Sequence, residues 1–337
     1  MTAFSRRAMV MQSLAALSAL GACAPQQLQP LVPEAGFSGP RFENGALVTF
    51  DGQRLPLNVW APEDREPWAV IVAVHGVNDY AMAFEDDAKV FARAGVVTYA
   101  YDQRGFGRAP GRGLWAGEKL LTQDLRAAIF AARRNHPKAV LVVLGHSMGG
   151  AVAINALSGE DAPRVDRLVL AAPAVWGWSS QPMINRATLW LGAHLAPEAH
   201  LEPPRWLAEQ HMASDNLPKL RQMGADRWMI FDTRIDVVYG LVDLMQKASI
   251  RIGQVSAPIL YLYGAHDNFV PKRASLRAVR RLKPADRSAY YVDGWHLLLR
   301  DLHGDLVRGD ILAYARSTEA VLPSGAPDVR TALTNLR

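Results

Sequence analysis

The chain has 337 residues, 50% hydrophobic and 20% charged, which suits a folded enzyme with one large α/β domain and an insertion. Its net charge of +5 is spread along the chain, with no Lys/Arg run and no basic stripe interleaved with aromatics, so nucleic-acid binding is excluded and the basic pI is that of an Arg-rich solvated surface. One cysteine, Cys23, excludes an internal disulfide and any multi-cysteine metal site, and nothing in the sequence implies a metal or organic cofactor.

At the N-terminus Ser5-Arg6-Arg7 precedes a mostly apolar run at 8–20, and Leu20-Gly21-Ala22-Cys23 follows. A positive start, a short apolar stretch and small residues before a cleavage point are the parts of an export signal. The run is shorter than the about 20 residues of a spanning helix. The pattern resembles a bacterial lipoprotein signal peptide over 1–22, with Cys23 as the lipid-bearing first residue of the mature chain. Ser5-Arg6-Arg7 ahead of Met9-Val10 is also similar to a twin-arginine signal. The resemblance implies an exported lipoprotein of the bacterial cell envelope, anchored to a membrane on its periplasmic side. An uncleaved amphipathic helix with an incidental Cys is the competing reading, and the position of the only Cys speaks against it. Residues 23–40 hold four prolines and no apolar periodicity, so they read as an extended linker. Fully stretched it reaches about 55–60 Å, enough to hold a domain clear of a membrane.

Next come two apolar runs at 45–50 and 55–60, divided by Asp51-Gly52, which read as a hairpin. The runs at 69–74, 96–101, 139–144, 168–172, 259–263 and 289–292 are apolar over most of their length and rich in Val, Ile and Tyr. Strands apolar on both faces belong to a buried parallel sheet. Between them Phe84, Ala88 and Phe91, and Leu121, Leu125, Ala128 and Ala132, follow helical spacing. Strand–helix alternation after an opening hairpin predicts an α/β fold, a mostly parallel sheet with helices on both faces, spanning 41–173 and 257–317. The alternation breaks over 174–256. There Ile184, Ala187, Leu191 and Leu195, and Val238, Leu241, Met245 and Ala248, keep helical spacing, which predicts a helical cap after the sixth strand. Residues 318–337 are polar and Pro-bearing and read as a loosely held tail.

Gly145-His146-Ser147-Met148-Gly149 ends one apolar run and opens a helical stretch. That is the setting of a nucleophile elbow, where a tight turn presents Ser at a helix N-terminus. A serine hydroxyl needs a base to take its proton, and the base must be held in one tautomer. The chain order Ser, acid, His places these partners on later strand ends. Asp267, in Gly264-Ala265-His266-Asp267, and His296, in Asp293-Gly294-Trp295-His296, fit that order. Asp293 is the competing acid. Asp267 is preferred because it ends its own strand and can approach the far side of the ring. An acyl-transfer intermediate needs two preorganised N–H donors. Met148, after the nucleophile, is one, and Val77, in the His75-Gly76-Val77-Asn78 loop, is the other. Arg104 reads as an ion-paired structural residue, with contact to a polar headgroup as the alternative. Five of nine tryptophans fall in 174–256. Trp176 and Trp178 follow the sixth strand, and with Met183 and Leu191 on the next helix they are expected to line an acyl channel.

These motifs, with Asp102-Gln103-Arg104-Gly105-Phe106-Gly107, resemble the monoacylglycerol lipase group of α/β-hydrolase serine enzymes, which overlaps lysophospholipase-like and S33 aminopeptidase-like members. The resemblance spans about 45–316. It implies an eight-stranded sheet, a cap over the site and hydrolysis of monoacylglycerol- or lysophospholipid-like esters through an acyl-enzyme on Ser147. Three readings compete with the lipid ester. A small-ester esterase would share the triad. An S33-type aminopeptidase or amidase would use an acid such as Glu198, Glu202, Glu209 or Asp215 to hold a substrate ammonium. A lipid-anchored binding protein would carry the fold without activity.

Overall fold

The computed structural model describes residues 25–201 and 212–334; Cys23 with the signal segment, and the cap residues Glu202, Trp206 and Glu209, lie outside them. Eleven strands run in chain order among the described residues. They are β1 Arg41–Glu43, β2 Ala46–Val48, β3 Arg54–Trp60, β4 Ala69–Val74, β5 Val96–Tyr101, β6 Val140–His146, β7 Arg167–Ala171, β8 His200–Leu201, β9 Thr233–Arg234, β10 Ile259–Gly264 and β11 Arg287–Tyr291. Nine of them form one sheet in the order β1-β2-β3-β5-β4-β6-β7-β10-β11, and β8 and β9 pair apart from it. The first four of that order pair antiparallel and the other neighbours pair parallel.

The expected sheet has eight strands; the ninth is β1. It folds back on β2 through Asn44 and Gly45, whose φ values of 45° and 70° are those of a tight two-residue hairpin turn. Phe42 of β1 stacks on Tyr99 with ring centroids 4.1 Å apart, which gives this short edge strand an apolar anchor.

Alternate residues of each central strand enter different cores, as the two-residue period of a strand requires. Val70, Val72, Val74, Leu141 and Val143 pack under helices α2 Gly117–Asn135 and α3 Met148–Ala156. Ala69, Ile71, Ala73, Val142 and Leu144 pack on the other face under α1 Glu85–Arg93 and Phe91. The insertion begins with α4 Met183–Leu195 and α5 Leu217–Gly224. The next helix, α6 Ile235–Arg251, was expected in the cap but packs into the first core through Val237, Val242, Leu244, Met245 and Ala248. Asn155 of α3 also donates to the carbonyl of Leu244 at 3.1 Å. Three more helices follow among the described residues: α7 Lys272–Val279, α8 Gly304–Arg316 and α9 Val329–Thr334.

Both terminal segments depart from the expected linker and tail. Residues from Pro25 onward lie along the domain. The Leu28 N–H donates to Trp115 O at 2.9 Å, and the Leu31 N–H donates to Asp51 at 2.9 Å. At the C-terminus, the Tyr290 N–H donates to Pro327 O at 2.8 Å, and Ser288 of β11 bonds Asp328 and the Val329 N–H. Val329 and Leu333 are buried in the core. The segment thus covers the edge strand, where unpaired backbone groups would otherwise meet solvent. Leu322 is buried as well, so deleting 318–337 is expected to cost about 4.5–9 kcal/mol, from three buried apolar side chains at about 1.5–3 kcal/mol each. Chemical denaturation checks this, and an unchanged midpoint would show that the segment is not part of the folded unit.

Candidate active site

Three loops, each leaving the C-terminal end of a parallel strand, converge on Ser147. The first is the turn from β6 into α3. Ser147 has φ 50° and ψ −116°, a left-handed conformation that a side chain rarely adopts. The turn is tight enough that a Cβ on Gly149 would lie 2.0 Å from Val74 O. The Ser147 N–H donates to Ala171 O at 3.0 Å and its carbonyl accepts from the Ala174 N–H at 2.9 Å, so both sides of the turn are fixed to the neighbouring strand end.

The second loop, after β10, carries Asp267. Its carboxylate is fully buried. Oδ1 accepts the N–H groups of Phe269 and Val270 at 2.8 and 2.9 Å, and Oδ2 accepts from His296 Nδ1 at 3.0 Å. The third loop, after β11, carries His296, whose Nε2 lies 3.0 Å from Ser147 Oγ. Asp267, the imidazole and Ser147 thus form one line of hydrogen bonds, with Nδ1 donating and Nε2 free to accept. Asp293 is exposed and makes no hydrogen bond to the ring among the described residues, so the geometry separates the two competing acids.

The loop after β4 passes the nucleophile on its other side. A Cβ on Gly76 would lie 3.3 Å from Ser147 Cβ, which brings Val77 beside the nucleophile. Among the described residues neither the Val77 N–H nor the Met148 N–H donates to any acceptor. Met148 is the first residue of α3, where N–H groups have no partner within the helix. These are the two donors expected to receive an oxyanion. His75 fixes the start of this loop. The Gln103 N–H donates to its Nε2 at 2.9 Å, so Nδ1 carries the proton and donates to Gly76 O at 2.8 Å. Burial holds the His75 pKa below its ordinary value and keeps the ring neutral.

Residues that the sequence reading did not single out also shape the site. His146 Nε2 donates to His296 O at 3.1 Å. Burial, then the neighbouring His296, push the His146 pKa down to about 3, so it is a neutral strut and not a rival base. Phe269 stacks on the His296 ring with centroids 4.9 Å apart and is 45% exposed. Arg104 is buried between Asp51 and Asp124, at 2.6 and 2.8 Å, which makes it structural. Trp176 and Trp178 are half-buried against the core. The Trp178 Nε1–H donates to Asp243 at 2.5 Å and its ring lies against Tyr239, so α6 holds it. Met183 and Leu191, expected beside them in an acyl channel, turn outward instead, 75% and 47% exposed. Ala193 is the only buried residue of that helix.

Residues 65–303 match the family described as Serine aminopeptidase, S33. A monoacylglycerol lipase of Mycolicibacterium smegmatis is 27% identical over 78% of this chain and 93% of its own length. Among solved structures, a monoglyceride lipase of Saccharomyces cerevisiae superposes with TM-score 0.69 at 18% identity, covering 87% of this chain and all of that one. A monoacylglycerol lipase of Paleococcus ferrophilus gives TM-score 0.65 at 20% identity, over 79% of this chain and 99% of that one. The chain belongs to the S33 serine aminopeptidase family and has the α/β-hydrolase fold.

Replacing Ser147 by Ala should abolish ester hydrolysis and fluorophosphonate labelling while the fold persists, a loss on the order of 10⁴–10⁶ in turnover. Asp267→Asn should cut kcat by roughly 10³–10⁴, and Asp293→Asn should leave it near wild type. Labelling at a different serine, or the reverse ranking of the two acids, would contradict the geometry.

Proposed function

We propose that this member of the S33 serine aminopeptidase family is a carboxylic ester hydrolase acting on monoacylglycerol- or lysophospholipid-like lipids through an acyl-enzyme on Ser147. The observation that carries the reading is the line Asp267–His296–Ser147, with both hydrogen bonds at 3.0 Å and Ser147 held at positive φ. Ser147 Oγ attacks the ester carbonyl while His296 Nε2 takes its proton. Asp267 holds the ring in the tautomer that leaves Nε2 open and offsets the charge it gains. The carbonyl oxygen becomes an oxyanion, to which the Val77 and Met148 N–H groups donate hydrogen bonds. His296 returns the proton to the leaving alcohol, and water repeats the sequence to release the acid.

The names of the similar proteins support the lipid substrate, and so does the cap. Helix α4 presents Met183, Ile184, Trp190, Leu191 and Leu195 to the outside, the last 73% exposed. A row of large apolar side chains in water marks a surface made for an apolar partner. In this reading α4 meets a lipid aggregate and the acyl chain reaches Ser147 past Phe269. The lipid-bearing Cys23 holds the enzyme at the bacterial envelope. Gln26, three residues on, donates to Glu198 at 3.2 Å just after α4, which places this part of the chain near the apolar helix. No helix among the described residues is long and apolar enough to cross a membrane.

Of the acids that an aminopeptidase would need, Glu198 faces Arg234 at 3.7 Å and Asp215 accepts the Leu302 N–H at 2.9 Å. An ester therefore fits the described site better than a substrate ammonium.

A panel of p-nitrophenyl esters, monoacylglycerols, lysophospholipids and aminoacyl amides tests the substrate class. kcat/KM should rise from acetate to medium chains by up to about fourfold per methylene, which is about 0.8 kcal/mol. Best turnover of aminoacyl amides or acetate would overturn the lipid reading. Mass spectrometry of the mature wild-type protein should show an acylated N-terminal Cys23, lost in Cys23→Ser. An intact, unmodified N-terminus would refute the anchor and leave the hydrolase reading in place.

A further inference from the structure

The loop from β11 to α8 that carries His296 is bound to the cap as well as to the core. Four hydrogen bonds join it to cap residues 213–216. The Leu297 N–H donates to Ala213 O at 2.9 Å, Ser214 Oγ to Asp301 Oδ1 at 2.6 Å, Asn216 Nδ2 to Arg300 O at 2.9 Å, and the Leu302 N–H to Asp215 Oδ1 at 2.9 Å. Arg300 points the other way and pairs with Asp79 in the loop that carries Val77; both side chains are buried. Arg300 also lies 3.1 Å from the Met223 sulfur of α5.

Asp301 is the centre of this lattice. Its second oxygen, Oδ2, accepts the N–H of Trp295 at 2.7 Å, the peptide immediately before the base. Asp301, Ser214 and Arg300 are all buried. We propose that Asp301 is a positioning residue for His296, holding the backbone before the base through the Trp295 N–H and tying that hold to the cap through Ser214. Burial pushes the Asp301 carboxyl up to about 6, against the two donors that favour its anion, so at neutral pH it remains the double acceptor that this role needs. The His296 ring is thereby fixed from three sides. Asp267 orients Nδ1, His146 holds the carbonyl of the same residue, and Asp301 holds the peptide before it. An aliphatic residue at 301 would keep the volume and lose the hold.

The proposal rests on the esterase reading above, and wild-type labelling separates the two. Asp301→Ala should lower kcat about 10–100-fold for acetate and medium-chain esters alike, the scale of an ångström-sized misplacement, with KM changed less than about twofold. It should slow fluorophosphonate labelling of Ser147 by the same factor. Asp301→Asn should restore kcat to within about threefold, because its carbonyl oxygen still accepts from Trp295 and its amide can donate to a rotated Ser214 hydroxyl. Ser214→Ala removes the tie to Asp301 and the bond that Ser214 Oγ accepts from the Asn216 N–H at 3.1 Å, and leaves the Asp301–Trp295 bond in place, so it should keep acetate turnover within about threefold and lower medium-chain turnover more. Amide exchange at Trp295 in the wild type needs no variant, and that N–H should be protected. Wild-type labelling rates in Asp301→Ala, a change confined to KM, no rescue by Asn, or a freely exchanging Trp295 amide would each overturn the positioning role. A wild-type enzyme that takes no label at all would overturn the hydrolase reading instead.

Discussion

The left-handed turn at Ser147 is the constraint on which the site depends. A non-glycine residue in such a conformation costs on the order of 1–3 kcal/mol, so the surroundings must over-determine it. They do so by hydrogen bonds to Ala171 and Ala174 on one side and by the close approach of Gly149 to the backbone of β4 on the other. From this one turn follow the exposure of Oγ to the His296 ring, the placing of the Met148 N–H as an unpaired first donor of α3, and the positive end of the helix dipole beneath the reacting atoms. A Cβ at position 149 would remove all three together.

The other parts of the site are brackets that hold mobile kinds of backbone against that fixed point. Each loop is pinned by a buried polar group whose partners are backbone N–H or carbonyl groups: His75 for the Val77 loop, Asp267 for its own turn, His146 and Asp301 for the His296 loop. Buried polar groups suit this work because of an asymmetry in their energetics. A satisfied bond contributes little net stability, but an unsatisfied buried group costs about 1–3 kcal/mol, so the alternative arrangements are penalised. The neutral state of His75 and His146 belongs to the same logic: burial removes their charge and leaves one base, His296, beside the nucleophile.

What could be read from the sequence was whatever has a local signature. Runs such as Ala69–Val74 are apolar on both faces because both faces are covered, and the elbow declares itself by a strand, two glycines and a helix. β1 had a signature too, Asn44-Gly45, but it stands at the edge of a Pro-bearing stretch and only three residues pair. The C-terminal segment was opaque because its buried residues, Leu322, Val329 and Leu333, sit in a polar context, and only contact with the folded core gives them an interior. α6 has the spacing of an amphipathic helix, and spacing alone does not say whether its apolar face meets a cap or a core. Bonds such as Arg300 to Asp79, or Asp301 to Ser214, join residues far apart in the chain and have no local pattern at all.

Helix α4 is the case in which sequence and structure agree on an apolar stripe and disagree on where it points. A stripe facing inward would be a pocket wall at no cost in water contact. Facing outward, it leaves five large side chains exposed, and at about 25 cal/mol per Å² that surface would favour a partner. In the reading proposed above, the partner is the aggregate in which the substrate resides, and the arrangement answers a difficulty of the reaction itself. A long acyl chain that passes through water to reach Ser147 gives up about 0.8 kcal/mol per methylene on the way. A cap whose outer face is apolar, with Phe269 half-exposed against the catalytic ring, shortens or removes that aqueous passage. The hydrogen bonds from residues 213–216 to the His296 loop then gain a second meaning: the element that meets the lipid belongs to the same insertion as the one that braces the base.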